Sequence, residues 1–366
     1  MTIGIGGAGS KIATALDPDA TIINVSETEL GKVADAGRRI LASLHHAGGQ
    51  FRGSRKNPEI GRDAFQSLRR ELLQLAQGDL LFTSTGGGTG NGLTSALIEE
   101  LTNMDEDLAP PEKTQFALVL PFAKLEPAEF TRNTINILGG PVSRAIDSGS
   151  TGNIYLFSNR LKYQSRLRED RFNRMIADSL AVFLAVPDKN DSLPLLDGHI
   201  DHEDFDHFVS RPFFNHFTYF DYDPARPFAE QLAENANPLL LAPENPIEAL
   251  FLLEVPQGGD PTAFYDILEY FAKSDVSPVY SVVENAERDT PFVTVSLLYS
   301  RKPAELLDDF NQISDHHTQA KVRKSLEQHI ELPKLEVSLE DHAARAAKQR
   351  GTGEDVLGVL KRLGKL

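Results

Sequence analysis

Gly86-Gly87-Gly88-Thr89-Gly90-Asn91-Gly92 lies between an apolar run, Asp79-Leu80-Leu81-Phe82-Thr83, and a helical pattern over residues 93–101. Glycines this dense remove the Cβ atoms that would hold the backbone away from a bulky anion. The amide N–H groups of such a turn, with the free N–H groups and positive dipole end of the following helix, form a phosphate cradle. Thr89 and Asn91 add side-chain donors without adding charge. A flexible surface loop is the competing reading, but linkers seldom join a buried strand to a helix.

Working outward, the first half of the chain alternates short apolar strands with helices. Strands are expected at 3–6, 21–25, 80–84, 116–121 and 153–157. Helical patterns fall at 11–16, 27–34, 57–75, 132–146 and 168–184. The helix at 57–75 places Phe65, Leu68, Leu72 and Leu75 at helical spacing. Strands of this kind separated by helices imply a parallel sheet covered on both faces, a Rossmann-like arrangement closed by the long helix at 168–184. After it the pattern changes. Strands at 213–220, 247–255, 279–283 and 292–299 alternate with helices at 228–235 and 262–273, and a helix at 303–313 follows. The last two strands are close in sequence and are expected to pair antiparallel, giving a second domain with a mixed α/β sheet.

Gly4-Ile5-Gly6-Gly7-Ala8-Gly9 fits G-x-G-x-x-G between a strand and a helix, the dinucleotide fingerprint. A dehydrogenase wants an acidic residue closing the second strand, and here that strand ends Ile23-Asn24-Val25-Ser26 with Glu27 just beyond. That reading also leaves residues 86–92 without a task. Two glycine-rich turns at the carboxyl edge of one sheet suit one nucleotide whose phosphates are gripped from two sides, which favours a nucleoside triphosphate. No G-x-x-x-x-G-K-[ST] occurs, so neutralising the phosphates falls to backbone amides and bound Mg²⁺. The other class of reading, an NAD-binding or other single-subunit nucleotide enzyme, would use the first loop alone.

Composition narrows the class further. The 366 residues are 40% hydrophobic and 25% charged, include no cysteine, and carry a formal charge of −16. This length accommodates two ordinary domains. Thiolate metal sites and disulfides are excluded, and the negative body opposes direct nucleic-acid binding. Met1-Thr2-Ile3-Gly4 runs straight into a strand, and no apolar run reaches bilayer length; a cytoplasmic location is expected. The last 26 residues, from Asp341, hold six Lys/Arg against three acids.

These residues resemble the tubulin/FtsZ superfamily of polymerising GTPases. Residues 86–92 are similar to its signature G-G-G-T-G-[ST]-G, and residues 4–10 (with Gly6, Gly7, Ala8, Gly9 and Ser10) to the first phosphate loop of FtsZ. Asn24-Val25-Ser26-Glu27-Thr28-Glu29-Leu30 resembles N-T-D-x-x-x-L, and Asn57-Pro58-Glu59-Ile60-Gly61-Arg62 resembles N-P-E-x-G-[RK]. The resemblance implies GTP/GDP as ligand, with Mg²⁺, and a phosphate site formed by residues 6–10, Asn24, Asn57 and residues 86–91. For the base and ribose it implies Glu126, which follows Pro121-Phe122, together with Asn159 after the next strand. On the long helix, Phe172 is the candidate stacking ring and Asn173 or Asp178 the candidate edge reader; a core contact is the competing reading of Phe172. The resemblance divides the chain into a GTP-binding domain at 1–186, a catalytic loop region at 187–211, an α/β activation domain at 212–335 and a helical tail at 336–366.

Asp201-His202-Glu203-Asp204-Phe205-Asp206 resembles the family's catalytic loop, which reads N-x-D-F-A-D in FtsZ and is more acidic in the plasmid and phage relatives, TubZ. Asp201 takes the asparagine's place, and Glu203 and Asp206 take those of the two carboxylates. Acids at i and i+3 share one helix face and can address one water. The resemblance implies that this loop enters the nucleotide site of the next subunit, so hydrolysis is coupled to head-to-tail homopolymerisation. Competing readings are a helix cap, a metal site using His199, His202 and His207, and a family member that binds GTP without hydrolysing it. At the end of the chain, Val356, Val359, Leu360 and Leu363 form an apolar stripe with acids first and bases last. That segment is expected to dock onto the protein's own body, the next subunit, or an adaptor, membrane or DNA-complex partner. The family's tasks are division, cell shape and DNA positioning.

Overall fold

The computed structural model describes residues 1–33, 36–43, 53–104, 112–242 and 245–300, all inside one compact unit, Met1–Asp315. The helix expected at 303–313 and the tail helix lie outside the described residues.

The first half runs β1 (Thr2–Ile5), α1 (Gly6–Leu16), β2 (Thr21–Asn24), α2 (Glu27–Gly31), β3 (Arg38–Leu41), α3 (Pro58–Leu75), β4 (Leu80–Ser84), α4 (Gly88–Thr102), β5 (Gln115–Leu120), α5 (Ala128–Ile137), a π turn at Leu138–Val142, α6 (Ser143–Ser148) and β6 (Ile154–Ser158). Then come α7 (Arg160–Gln164), α8 (Glu169–Leu184), α9 (Val186–Ser192), β7 (Leu195–Gly198), α10 (His202–Val209) and β8 (Phe214–Asp221). The second half ends with α11 (Phe228–Glu234), β9 (Glu248–Val255), a 3₁₀ turn at Pro261–Ala263, α12 (Phe264–Ala272), β10 (Val279–Glu284) and β11 (Phe292–Tyr299).

All the described strands join one sheet in the order β3-β2-β1-β4-β5-β6-β8-β11-β9-β10-β7. The six strands from β3 to β6 are parallel. The two halves meet at β6 and β8, which pair in parallel over only Ile154↔Phe214 and Tyr155↔Asn215. Beyond that seam β8, β11 and β9 are antiparallel, β9 and β10 parallel, and β10 and β7 antiparallel. The fold is therefore the expected one: a parallel α/β half, a long central helix and a mixed α/β half.

Apolar side chains fill both faces of the sheet. On one face Ile3, Ile5 and Leu81 pack under α3 and α4 with Phe65, Leu72, Leu93 and Leu97. On the other, Phe82, Tyr155 and Phe217 pack under α1 and α8 with Ile12, Ile176, Leu180 and Phe183. A third cluster joins β9 and β11 to α11 and α12 through Phe228, Phe251 and Phe271.

Three expectations from the sequence change. The strands β10 and β11 do not pair, because β9 lies between them. Every residue of β11 is buried whereas β10 is partly exposed at both ends; the strand buried on both faces takes the inner position. The edge strands β3 and β7 were not expected. Each has four residues, three of them exposed in both cases, and neither shows a hydrophobic alternation. Finally, α1 and α4 begin at Gly6 and Gly88, five residues before the expected starts in each case. Packing overrides the low helix propensity of glycine here: a Cβ on Gly92 would fall 2.7 Å from the Cα of Gly61, so α3 and α4 cross glycine on glycine.

Candidate nucleotide-binding site

Both glycine loops leave the carboxyl ends of adjacent strands, since β1 and β4 pair directly. They touch: Gly6 has φ +74°, which favours glycine, and a Cβ there would lie 3.1 Å from the amide N of Gly90. Neither α1 nor α4 has a side-chain cap or an acid in its first turn. Their first-turn N–H groups and positive dipole ends are thus free to meet an anion. A cleft of 340 Å³ opens there, lined by Gly6, Gly7, Ala8, Asn24, Glu29, residues 53–56, Ser84 and residues 87–90.

The remaining expected phosphate residues stand behind the lining and support it. Gly9 packs on the backbone of Phe82, where a Cβ would lie 2.8 Å from its carbonyl carbon. Ser10 is buried, with its hydroxyl 3.4 Å from the Gly4 carbonyl. Gly86 backs onto Phe130, and Asn57 caps α3 by accepting from the Glu59 N–H at 3.1 Å. Asn91 was expected to offer a donor to the ligand, but it is 3% exposed and donates to the carbonyls of Thr85 (2.6 Å) and Asn133 (3.0 Å). Asn133 in turn donates to Gly86 and Lys56, tying both sides of the cleft together. Asn91→Ala would remove the donor to the buried Thr85 carbonyl and the brace to Asn133. Its expected cost is about 1–3 kcal/mol, read as a lower urea midpoint, and an unchanged midpoint would contradict this bracing role.

Three contributors were missed from sequence. Asn133 lies in a helix with no motif around it. Residues 53–56 form a turn against Gly88. Glu29 receives an N–H from the Asn24 amide at 2.9 Å and lines the cleft; it sits three residues after its own N-cap Ser26, a capping-box spacing that would have flagged it.

At the ends of β5 and β6 the expected ribose and base residues find each other. Glu126 accepts from the Phe122 N–H at 2.6 Å, and Asn159 donates to Glu126 at 3.0 Å. The carboxylate therefore closes the turn after β5. Burial, then the adjacent Glu126 charge, holds the Tyr163 phenol above its usual range.

On α8 the three candidates separate. Phe172 is 1% exposed inside the core with Ile176 and Leu180; it has no free face, and its stacking role gives way to a core role. Asn173 and Asp178 line a larger cleft of 1040 Å³ between α1 and α8. Across that cleft Lys11 pairs with Glu169 at 2.6 Å.

The acidic segment forms α10, which sits at the amino-terminal edge of the parallel strands, opposite the glycine loops. Its last turn is fastened where β6 begins: the Asn153 N–H donates to Val209 at 2.7 Å, and the Asn153 side chain donates to Phe208 and Arg211. Asp201 is the N-cap, accepting from the Asp204 N–H at 2.8 Å, so its carboxylate holds the helix start. Glu203 and Asp206 are exposed on one face. Partial burial and then the Glu112 carboxylate push the Asp206 carboxyl above the usual aspartate range, with His202 opposing. His199 comes within 4.8 Å of Asp201 and Asp204, whereas His202 faces Asp188 and Asp191 at 3.4 Å each.

Sheet order, central helix and paired glycine loops define the tubulin/FtsZ fold. Solved structures agree. CetZ from Methanosaeta thermophila strain DSM 6194 is 18% identical, with a TM-score of 0.63 over 89% of this chain and 94% of that one. A GTPγS-form protofilament of TubZ from Bacillus thuringiensis serovar israelensis is 12% identical, with a TM-score of 0.68 over 87% and 93%. An FtsZ dimer from M. jannaschii is 17% identical, with a TM-score of 0.58 over 81% and 87%. No protein-family model and no curated protein sequence matches the chain. Among the described residues no helix is long and apolar enough to cross a membrane.

Proposed function

We propose that this chain is a GTP-binding and GTP-hydrolysing subunit that assembles head to tail into filaments. The observation that carries this reading is the placement of an anion cradle at one edge of the parallel sheet and an acidic helix at the opposite edge. A contact joining two such unlike ends is heterologous, and it propagates when it does not close into a ring. The protofilament form of the TubZ structure that shares this fold supports the same arrangement. Both glycine loops lining one cleft support a nucleoside triphosphate over a dinucleotide, and guanine follows from the family resemblance. In functional terms we assign residues 1–186 to nucleotide binding, 187–211 to catalysis and 212–335 to the subunit contact.

In this reading the first-turn amides of α1 and α4 hold the phosphates. Glu29 stands beside them as the acid able to hold hydrated Mg²⁺, which would neutralise phosphate charge. Glu203 and Asp206 of the next subunit orient the attacking water; positioning and electrostatics supply the rest of the rate. Neither end is competent alone.

A pH profile tests the acidic helix. Asp206 acts ionised, so turnover is present above its raised pKa and is lost as pH falls through it. The acid limb is expected at higher pH than an ordinary aspartate would give, and Glu112→Gln should move it to lower pH. A limb that stays in place in that variant would count against Asp206 as the group that titrates.

A further inference from the structure

We propose that the two axial ends of this molecule are an electrostatic pair, in which a basic rim on α7 and the start of α8 receives the acidic α9–α10 end of a second copy of the chain. This rests on the head-to-tail reading and adds which surfaces meet and what force selects them.

The chain carries −16 overall, so two copies repel at long range. The charge is not spread evenly. Between residues 160 and 174 stand Arg160, Lys162, Arg166, Arg168, Arg171 and Arg174 against Glu169 and Asp170, a local +4. Between residues 188 and 206 stand seven acids against Lys189, a local −6. Even that lysine is turned inward, with its ammonium 2.5 Å from the fully buried Glu254 carboxylate. The acids face outward: the Asp188 and Asp191 side chains are 75% and 51% exposed.

The fold sends these two runs to opposite ends. α7 leaves the carboxyl end of β6, at the edge that bears the glycine loops. α8 starts there, and its 16 residues span about 24 Å before α9 begins. At the basic end Arg168 is 85% exposed, and Arg166 and Arg171 are exposed beside it. Opposite potentials at the ends steer like-charged subunits into one orientation and penalise head-to-head or tail-to-tail encounters. Such steering fades with salt, because the Debye length is about 8 Å at 0.15 M.

Charge reversal tests the pairing. Arg160→Glu/Lys162→Glu/Arg166→Glu takes the basic run from +4 to −2, and Asp188→Lys/Asp191→Lys/Asp197→Lys/Asp204→Lys takes the acidic run from −6 to +2. None of these residues lines the phosphate cleft or the cleft between α1 and α8, and none is Glu203 or Asp206. Each variant alone is expected to raise the threshold for GTP-dependent sedimentation at least about tenfold while binding GTP as the wild type does. Mixed one to one, the two variants pair an acidic end with a basic end at every contact of an alternating filament, so the mixture should sediment near the wild-type threshold. A chain damaged by its substitutions would not be rescued by mixing. Unchanged thresholds for both variants, or a mixture that stays soluble although both bind GTP, would overturn the pairing alone. A wild type that never sediments with GTP would overturn the head-to-tail reading beneath it.

Discussion

Gly88→Ala is expected to weaken GTP binding by roughly 10- to 100-fold while the chain still folds. Gly88 opens α4, and a Cβ there would lie 2.7 Å from the backbone N and 2.8 Å from the backbone O of Asn57. Backbone cannot swing aside as a side-chain tip can, so the turn at 53–57 must move off the cleft it lines. Overpacking of this kind costs about 1–3 kcal/mol, and here the displaced groups are those facing the phosphates. Gly139→Ala is the matched control, because nothing lies within 4 Å of its added Cβ. Titration with a fluorescent GTP analogue reads both variants. Equal affinity for Gly88→Ala and wild type would mean that the cradle does not depend on the close seating of that turn.

The second large effect falls at the other end of the molecule. Asp206→Ala is expected to bind GTP and assemble, yet to lose turnover by a factor on the order of 100 or more. Asp206 lies outside the cleft of its own chain, so ground-state affinity should not move; the loss belongs to kcat alone. Filaments of this variant should outlive those of the wild type, because nucleotide exhaustion no longer disassembles them. Glu203→Ala should show the same split, while Asp201→Ala should instead destabilise α10, whose first turn it caps. Normal turnover in Asp206→Ala filaments would remove the acidic helix from the mechanism.

How far the sequence could be read follows from what kind of information each feature needs. The strand–turn–helix arrangement around residues 84–92 was legible because glycine density, a preceding apolar strand and a following helix are local signals. The shared exposed face of Glu203 and Asp206 was legible from their i, i+3 spacing, whereas the role given to them came from the family resemblance. Asn91 was misread as a ligand donor because direction is a tertiary property: only the fold brings the carbonyls of Thr85 and Asn133 within its reach. Phe172 was similar, since a ring on an amphipathic helix gives no sign of which neighbour covers it. The early starts of α1 and α4 depend on close backbone contacts with other elements, which outweigh glycine's local preference. The edge strands β3 and β7 are short and exposed, so neither leaves a periodic trace, and the order of β9, β10 and β11 is set by which strand can be buried on both faces.

The most direct test of the whole account is GTP turnover as a function of protein concentration, with light scattering followed in the same cuvette and Mg²⁺ present. A site shared between subunits predicts turnover per subunit that appears only above a threshold concentration, together with scattering. Turnover per subunit that is independent of concentration would mean a complete site within one chain and would contradict the account.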